Sequence, residues 1–385
     1  MLSRLLLSTV FALTLSPALV AAPQPQPLNF VVTDQVVSDP SIRLNDIEFD
    51  HQGFNFTWQD DDLNLWVAKV NKTTGALIPP TGMGELLDTG LLPIAASGNG
   101  PEWAASARGS LVVYSKLVDM VSYLGVAGFN GRRWQAGLMP GTEGGRTPFG
   151  SVDYTAIDPF VRYNAKPPGE PGGPILTWRE IVDPSTISVV PESTATQGRA
   201  VPGAGVRALT ITIKANNIDQ AAYWNLDTDV ITQLTFDPLQ KDDPFMFNAP
   251  EFAQEPVFIT GLDKRGIGVY RRIDNVWTQI NVLQPPAGEA LAISAEPFIY
   301  NGRSYVMFIT SETLDGPGDL WFAAIDPTNP LFRKVSGAGA LRRQDPEYMI
   351  TRGGVFLYYT ERSGKQILVH RCDTGLGLPL FWPQY

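Results

Sequence analysis

One cysteine, Cys372, and two histidines, His51 and His370, are all that 385 residues contain of those types. A lone cysteine excludes an internal disulfide, and two histidines exclude a three-histidine metal centre. Charged residues make up only 18% of the chain, and acids outnumber bases by 39 to 29. The resulting formal net charge of −10 repels a phosphate backbone, so nucleic acid is excluded as a partner. Beyond the first 22 residues no apolar run approaches the ~20 residues that a membrane-spanning helix needs. The chain also lacks G-x-S-x-G, H-E-x-x-H and G-x-x-x-x-G-K, which sets aside serine-hydrolase, zincin and P-loop chemistry.

What is present is apolar, aromatic and rich in turn formers. Hydrophobic residues reach 44%, with 36 Gly, 32 Pro, 9 Trp, 12 Tyr and 19 Phe, a composition that suits short strands joined by tight turns. The N-terminal segment carries Arg4, an apolar run and then Val20-Ala21-Ala22, the layout of a secretory signal over residues 1–22. Secretion, to the extracellular space or a periplasm, is therefore expected, with no membrane anchor. Asn55-Phe56-Thr57 and Asn71-Lys72-Thr73 are glycosylation sequons if the host is eukaryotic. His370 and Cys372 share one face of a strand, and the pair reads as a core cysteine beside a surface histidine in preference to a nucleophile and its base.

A unit recurs along the chain: a Pro/acid/aromatic start, an aromatic-rich strand, an alternating strand and a short closing strand. Asp46 to Glu102 spans 56 residues, Glu102 to Asp158 another 56, Glu251 to Glu296 45 and Glu296 to Glu347 51. These are propeller-blade periods. The predicted fold is all-β, a single β-propeller of about six four-stranded blades over residues 44–385, with seven or five as alternatives. The long interval between Asp158 and Glu251 is read as one blade carrying an inserted loop or hairpin around 183–215. Residues 23–43 form a lead-in segment, whose LNFVV strand is expected to help close the ring. Trp58, Tyr114, Trp178, Phe308 and Tyr358 occupy matching strand positions and are expected to wedge between sheets.

The unit also repeats a carboxylate, at Asp46 or Glu48, Glu102, Asp158, Glu251, Glu296 and Glu347. On innermost strands these would converge on one channel mouth, where confined like charges keep at least one proton and so set a general acid beside an ionised base. The rival reading is structural, with the acids capping turns or pairing with Arg108, Arg162, Arg265, Arg303 and Arg352. Glu102, Trp103, Phe160, Phe252, Glu296, Glu347, Tyr348 and His51 are the expected substrate-binding positions. No cofactor is implied with certainty; a structural Ca²⁺ at the acidic turn Asp60-Asp61-Asp62 is the one cation expectation, against a solvated turn. A carbohydrate or other small molecule is the expected ligand and the chain is expected to act as a monomer.

GPEWAASARGSLVVYSKLVDMVSYLGVA and AIDPFVRYN resemble the second- and third-blade patterns of secreted propeller glycosidases of the arabinanase and xylosidase type. The resemblance implies a glycoside hydrolase with Asp46 as base, Asp158 as the aspartate that tunes the acid and Glu251 as acid. The repeat also resembles TolB-type six-bladed propellers, which are binding proteins. Three functions are compatible with these residues: a secreted propeller hydrolase or lyase acting on a glycan through paired carboxylates, a non-catalytic carbohydrate- or protein-binding propeller, and a small-molecule cyclase or isomerase with an apolar channel.

Overall fold

The computed structural model describes residues 20–21, 31–39, 44–78, 84–153, 156–165, 175–183, 185–189, 198–201, 207–286, 290–364 and 366–380. Their strands form seven antiparallel sheets, each wound from its first strand outwards. The first strands are Leu44–Asp50, Glu102–Ser106, Gly145–Gly150, Gly198–Ala200, Lys241–Ala249, Leu291–Tyr300 and Arg342–Thr351. First strands of neighbouring sheets pack against one another at every junction but that of the third and fourth, and Arg342–Thr351 of the seventh packs against Leu44–Asp50 of the first. The molecule is therefore a seven-bladed β-propeller.

The count corrects the expectation of six. The stretch read as an insertion around 183–215 contains the end of the third blade, Ser188–Val189, and the first two strands of a full fourth blade, Gly198–Ala200 and Ala208–Ala215. Ile218–Asn225 and Val230–Gln233 complete that blade. Ring closure falls to Gln35–Val36, which pairs antiparallel with His370 and Arg371 as the outermost strand of the seventh blade. Val31 and Val32 of the LNFVV segment are described and lie outside any strand, and its other residues lie outside the described ones. Val20–Ala21 runs parallel to Val282–Leu283 at the edge of the fifth blade.

Each blade is a twisted sheet with two apolar faces, and each face is buried only by a neighbour. Seven hydrophobic clusters follow, one at each interface between blades. The five expected wedge aromatics sit in these clusters, all at 1% exposure or less. Burying one such side chain contributes about 1.5–3 kcal/mol, so the interfaces carry most of the stability. Cys372 is fully buried between the sixth and seventh blades. Asn55 is buried too, its amide donating to Asp50, which leaves that sequon inaccessible in the folded chain.

Candidate functional site in the channel

A shared backbone irregularity positions the site. The first strands of the first, third, fifth, sixth and seventh blades shift register at Asp46, Thr147-Pro148, Asp243-Pro244, Ser294-Ala295 and Asp345-Pro346. Asp46, Thr147, Asp243, Ser294 and Asp345 all take positive φ there, between 44° and 59°. A bulge of this kind bends the strand and redirects the side chain that follows. Two residues on stand Glu48, Phe149, Phe245, Glu296 and Glu347, and Gly100-Pro101-Glu102 places a further glutamate at the same point of the second blade. Four consecutive blades, the sixth, seventh, first and second, thus present Glu296, Glu347, Glu48 and Glu102, whereas the third and fifth present phenylalanines.

These four glutamates line a cavity of about 590 Å³ together with His51, Trp103, Phe245, Phe247, Phe298, Tyr300 and Tyr348. No lysine or arginine is among the described residues lining it. Tyr348 lies between two rings, stacked on His51 at 4.3 Å and on Phe298 at 5.5 Å. Trp103 is fixed by donating its indole N–H to the Glu48 carbonyl at 3.1 Å. Gly150 passes so close to Trp103 that a β-carbon would lie 2.2 Å from the tryptophan carbonyl oxygen, so no other residue fits there.

Asp46 and Asp345 are hydrogen bonded to each other beside the glutamates, which requires one of them to hold a proton. The Gly100 amide also donates to Asp46, and a β-carbon on Gly100 would collide with that carboxylate. Asp46, Glu48 and Asp345 bring one oxygen each within 4.8 Å of one another. Oxygens that close share protons or a cation. Burial, opposed by the hydrogen bonds from Asp345 and Gly100, raises the Asp46 pKa. Burial first, then repulsion by Asp46, holds Asp345 well above the usual carboxylate range. Burial and the neighbouring acids do the same to Glu48 and Glu347. His51 moves the other way: burial lowers its pKa to about 4, and among the described residues its Nδ1 has no hydrogen-bond partner, so at neutral pH it is an uncharged imidazole.

The other expected site residues lie elsewhere. Asp158 is in the turn before the second strand of the third blade and pairs with Arg108. Phe160 begins that second strand and is buried between the third and fourth blades. Glu251 sits on the 3-10 turn Pro250–Phe252, where it accepts hydrogen bonds from the Ser304 amide at 2.9 Å and hydroxyl at 2.8 Å. Phe252 lies beneath the Arg271 guanidinium on the same turn. The expectation that all the repeated acids occupy innermost strands is thus corrected for Asp158 and Glu251. Their Pro-flanked acid/aromatic strings imitate the blade start but fall one turn later in the fold. Thr147-Pro148-Phe149 and Asp243-Pro244-Phe245 are the true equivalents, and the proline before a substituted position was the available signal. Asp345 was missed although it stands two residues before Glu347, as Asp46 does before Glu48. In the Asp60-Asp61-Asp62 turn, Asp60 accepts hydrogen bonds from the amides of Asp62 and Asn64, the Asn64 side chain and the Trp66 indole. That carboxylate is committed to capping its hairpin.

Solved structures share this architecture at low identity. The oligogalacturonate lyase of Vibrio parahaemolyticus superposes with a TM-score of 0.57 at 10% identity, over 89% of this chain and 94% of that one. The β-propeller domain of Cps50 (Swd1) from Myceliophteria thermophila gives 0.55 at 10% identity, over 85% of this chain and 96% of that one. A prolyl endopeptidase gives 0.51 at 14% identity, with 87% of this chain covering 50% of that one. These likenesses define the class as a β-propeller and extend no further. No protein-family model matches the chain, and no curated protein sequence matches it.

Proposed function

We propose that this chain is an exported propeller enzyme that hydrolyses a glycan free of acidic groups in the channel cavity. The observation that carries the reading is the ring of glutamates, burial-raised at Glu48 and Glu347, bordering an open cavity with aromatic walls. A carboxyl that keeps its proton at neutral pH can donate it to a departing glycosidic oxygen, and an ionised neighbour can take a proton from the attacking water. Glu48, pressed by burial and by Glu102, Glu347, Asp345 and Glu296, is assigned as the proton donor.

Polyuronate chemistry, suggested by the name of the Vibrio lyase, fits less well, because an acidic sugar would meet four glutamates and no described basic side chain in the lining. Binding without turnover is the second reading, since an aromatic cavity alone suffices for it. Release of new reducing ends from a panel of uncharged glycans separates the two. Turnover that falls by about 10²–10⁴ in Glu48→Gln, with the fold intact, matches the enzyme reading. Saccharide binding with no turnover would assign a binding protein.

Export rests on the N-terminal segment, with Arg4 ahead of its apolar run. Cleavage after Ala21 or Ala22 would remove the Val20–Ala21 strand and leave the fifth blade its own four strands. No helix among the described residues is long and apolar enough to cross a membrane. N-terminal sequencing of protein recovered outside the producing cell tests this directly: an intact Met1 would refute it.

A further inference from the structure

We propose that the glycan taken by the channel bears a protonated amine, and that Glu347 is the partner of that ammonium group. The inference rests on the reading of the cavity as a glycan site and names the class of sugar. Glu347 is only 5% exposed and lines the cavity. Among the described residues no hydrogen-bond donor reaches its carboxyl, and the groups that act on it most strongly are Glu296, Asp345, Glu102 and Asp46, with Glu48 beside them, all acids. A buried carboxyl without donor or counter-charge keeps its proton, and an arriving ammonium group lets it ionise, releasing that proton to solvent.

The remainder of the lining points the same way. Its ionisable side chains are four glutamates, His51 and two tyrosines, so every formal charge it develops at neutral pH is negative. An ammonium group supplies a compensating charge and three donors at once, whereas a hydroxyl supplies a donor without the charge. The expected ranking is amine-bearing sugar above neutral sugar above acidic sugar.

The test is calorimetric titration of the whole protein with β-1,4-linked tetramers of glucosamine, N-acetylglucosamine and glucose at about pH 6.5, where the amine is protonated. The glucosamine tetramer should bind at least about tenfold more tightly than its acetylated counterpart, the margin expected for one charge-assisted hydrogen bond. Glu347→Gln should erase that margin, costing the glucosamine tetramer its advantage over the two neutral tetramers. The wild-type ranking needs no variant, so a misfolded Glu347→Gln leaves the test intact. Equal or weaker binding of the glucosamine tetramer, or a Glu347→Gln loss shared by all three, overturns the inference and leaves the glycan reading standing. Failure of every tetramer to bind overturns both. Heat from calcium chloride with none from the glucosamine tetramer would show a metal site instead and would also overturn it.

Discussion

Asp46 and Asp345 are hydrogen bonded to each other across the seam where the first blade of the ring meets the last. Two carboxyls make that bond only if one retains its proton. The ring is therefore closed twice: on its rim by the Gln35–Val36 strand, and at its axis by a proton shared between residues almost three hundred positions apart.

That proton predicts how stability depends on pH. Asp46, Glu48, Asp345 and Glu347 have folded-state pKa values raised above those of the unfolded chain, so the folded state binds the extra protons. Stability should be fullest below the ordinary carboxylate range and decline as pH rises through the raised values. Asp34 acts in the opposite sense. Hydrogen bonds from His370, Tyr359 and Gly337 outweigh its burial and lower its pKa from 3.8 to about 2, so its contribution is lost as pH falls between those values. Thermal melts should thus peak in mild acid and fall on both sides; a Tm that climbs steadily towards alkaline pH would refute this.

Asp345→Asn should flatten the alkaline side of that profile. The amide can still hydrogen bond to Asp46 but cannot ionise, so the repulsion that grows with pH is reduced. Paired melts at mildly acidic and mildly alkaline pH check it, with the variant gaining on the wild type at the higher value.

Asp34 pins the closing segment. It accepts from His370 Nδ1 at 2.9 Å, the Tyr359 hydroxyl at 2.7 Å and the Gly337 amide at 2.6 Å. Asp34→Ala should cost roughly 2 to 4 kcal/mol in urea unfolding, because three donors lose their buried acceptor. A change within about 0.5 kcal/mol, as at an ordinary surface site, would show that the segment does not hold the ring.

The fourth blade can be tested through Trp224, which is fully buried against the third blade. Trp224→Ala should destabilise by about 3 to 5 kcal/mol, as for a core tryptophan. An inserted surface hairpin would show about 0.5 kcal/mol or less.

Strands and blades were legible because alternation and turn residues are local signals, and Glu102-Trp103 and Glu347-Tyr348 were legible because each follows a proline on an innermost strand. The same local string misled at Asp158-Pro159-Phe160 and Pro250-Glu251-Phe252, which lie after the innermost strands. Whether such a string sits on the strand or past it depends on the bulge, and a bulge is set by pairing with the next strand. The fourth blade was hidden because its innermost strand, Gly198–Ala200, is three residues long and carries no acid start. Asp34 was beyond reach for a different reason: its partner His370 lies 336 residues away and only ring closure brings them together.

The most direct measurement is a ¹³C NMR titration of the side-chain carboxyls in protein labelled at aspartate and glutamate. Glutamate resonances should titrate well above the ordinary range and disappear selectively in Glu48→Gln and Glu347→Gln. Titration of every glutamate and aspartate at or below its ordinary value would contradict a proton-holding channel and, with it, the acid–base chemistry assigned to this ring.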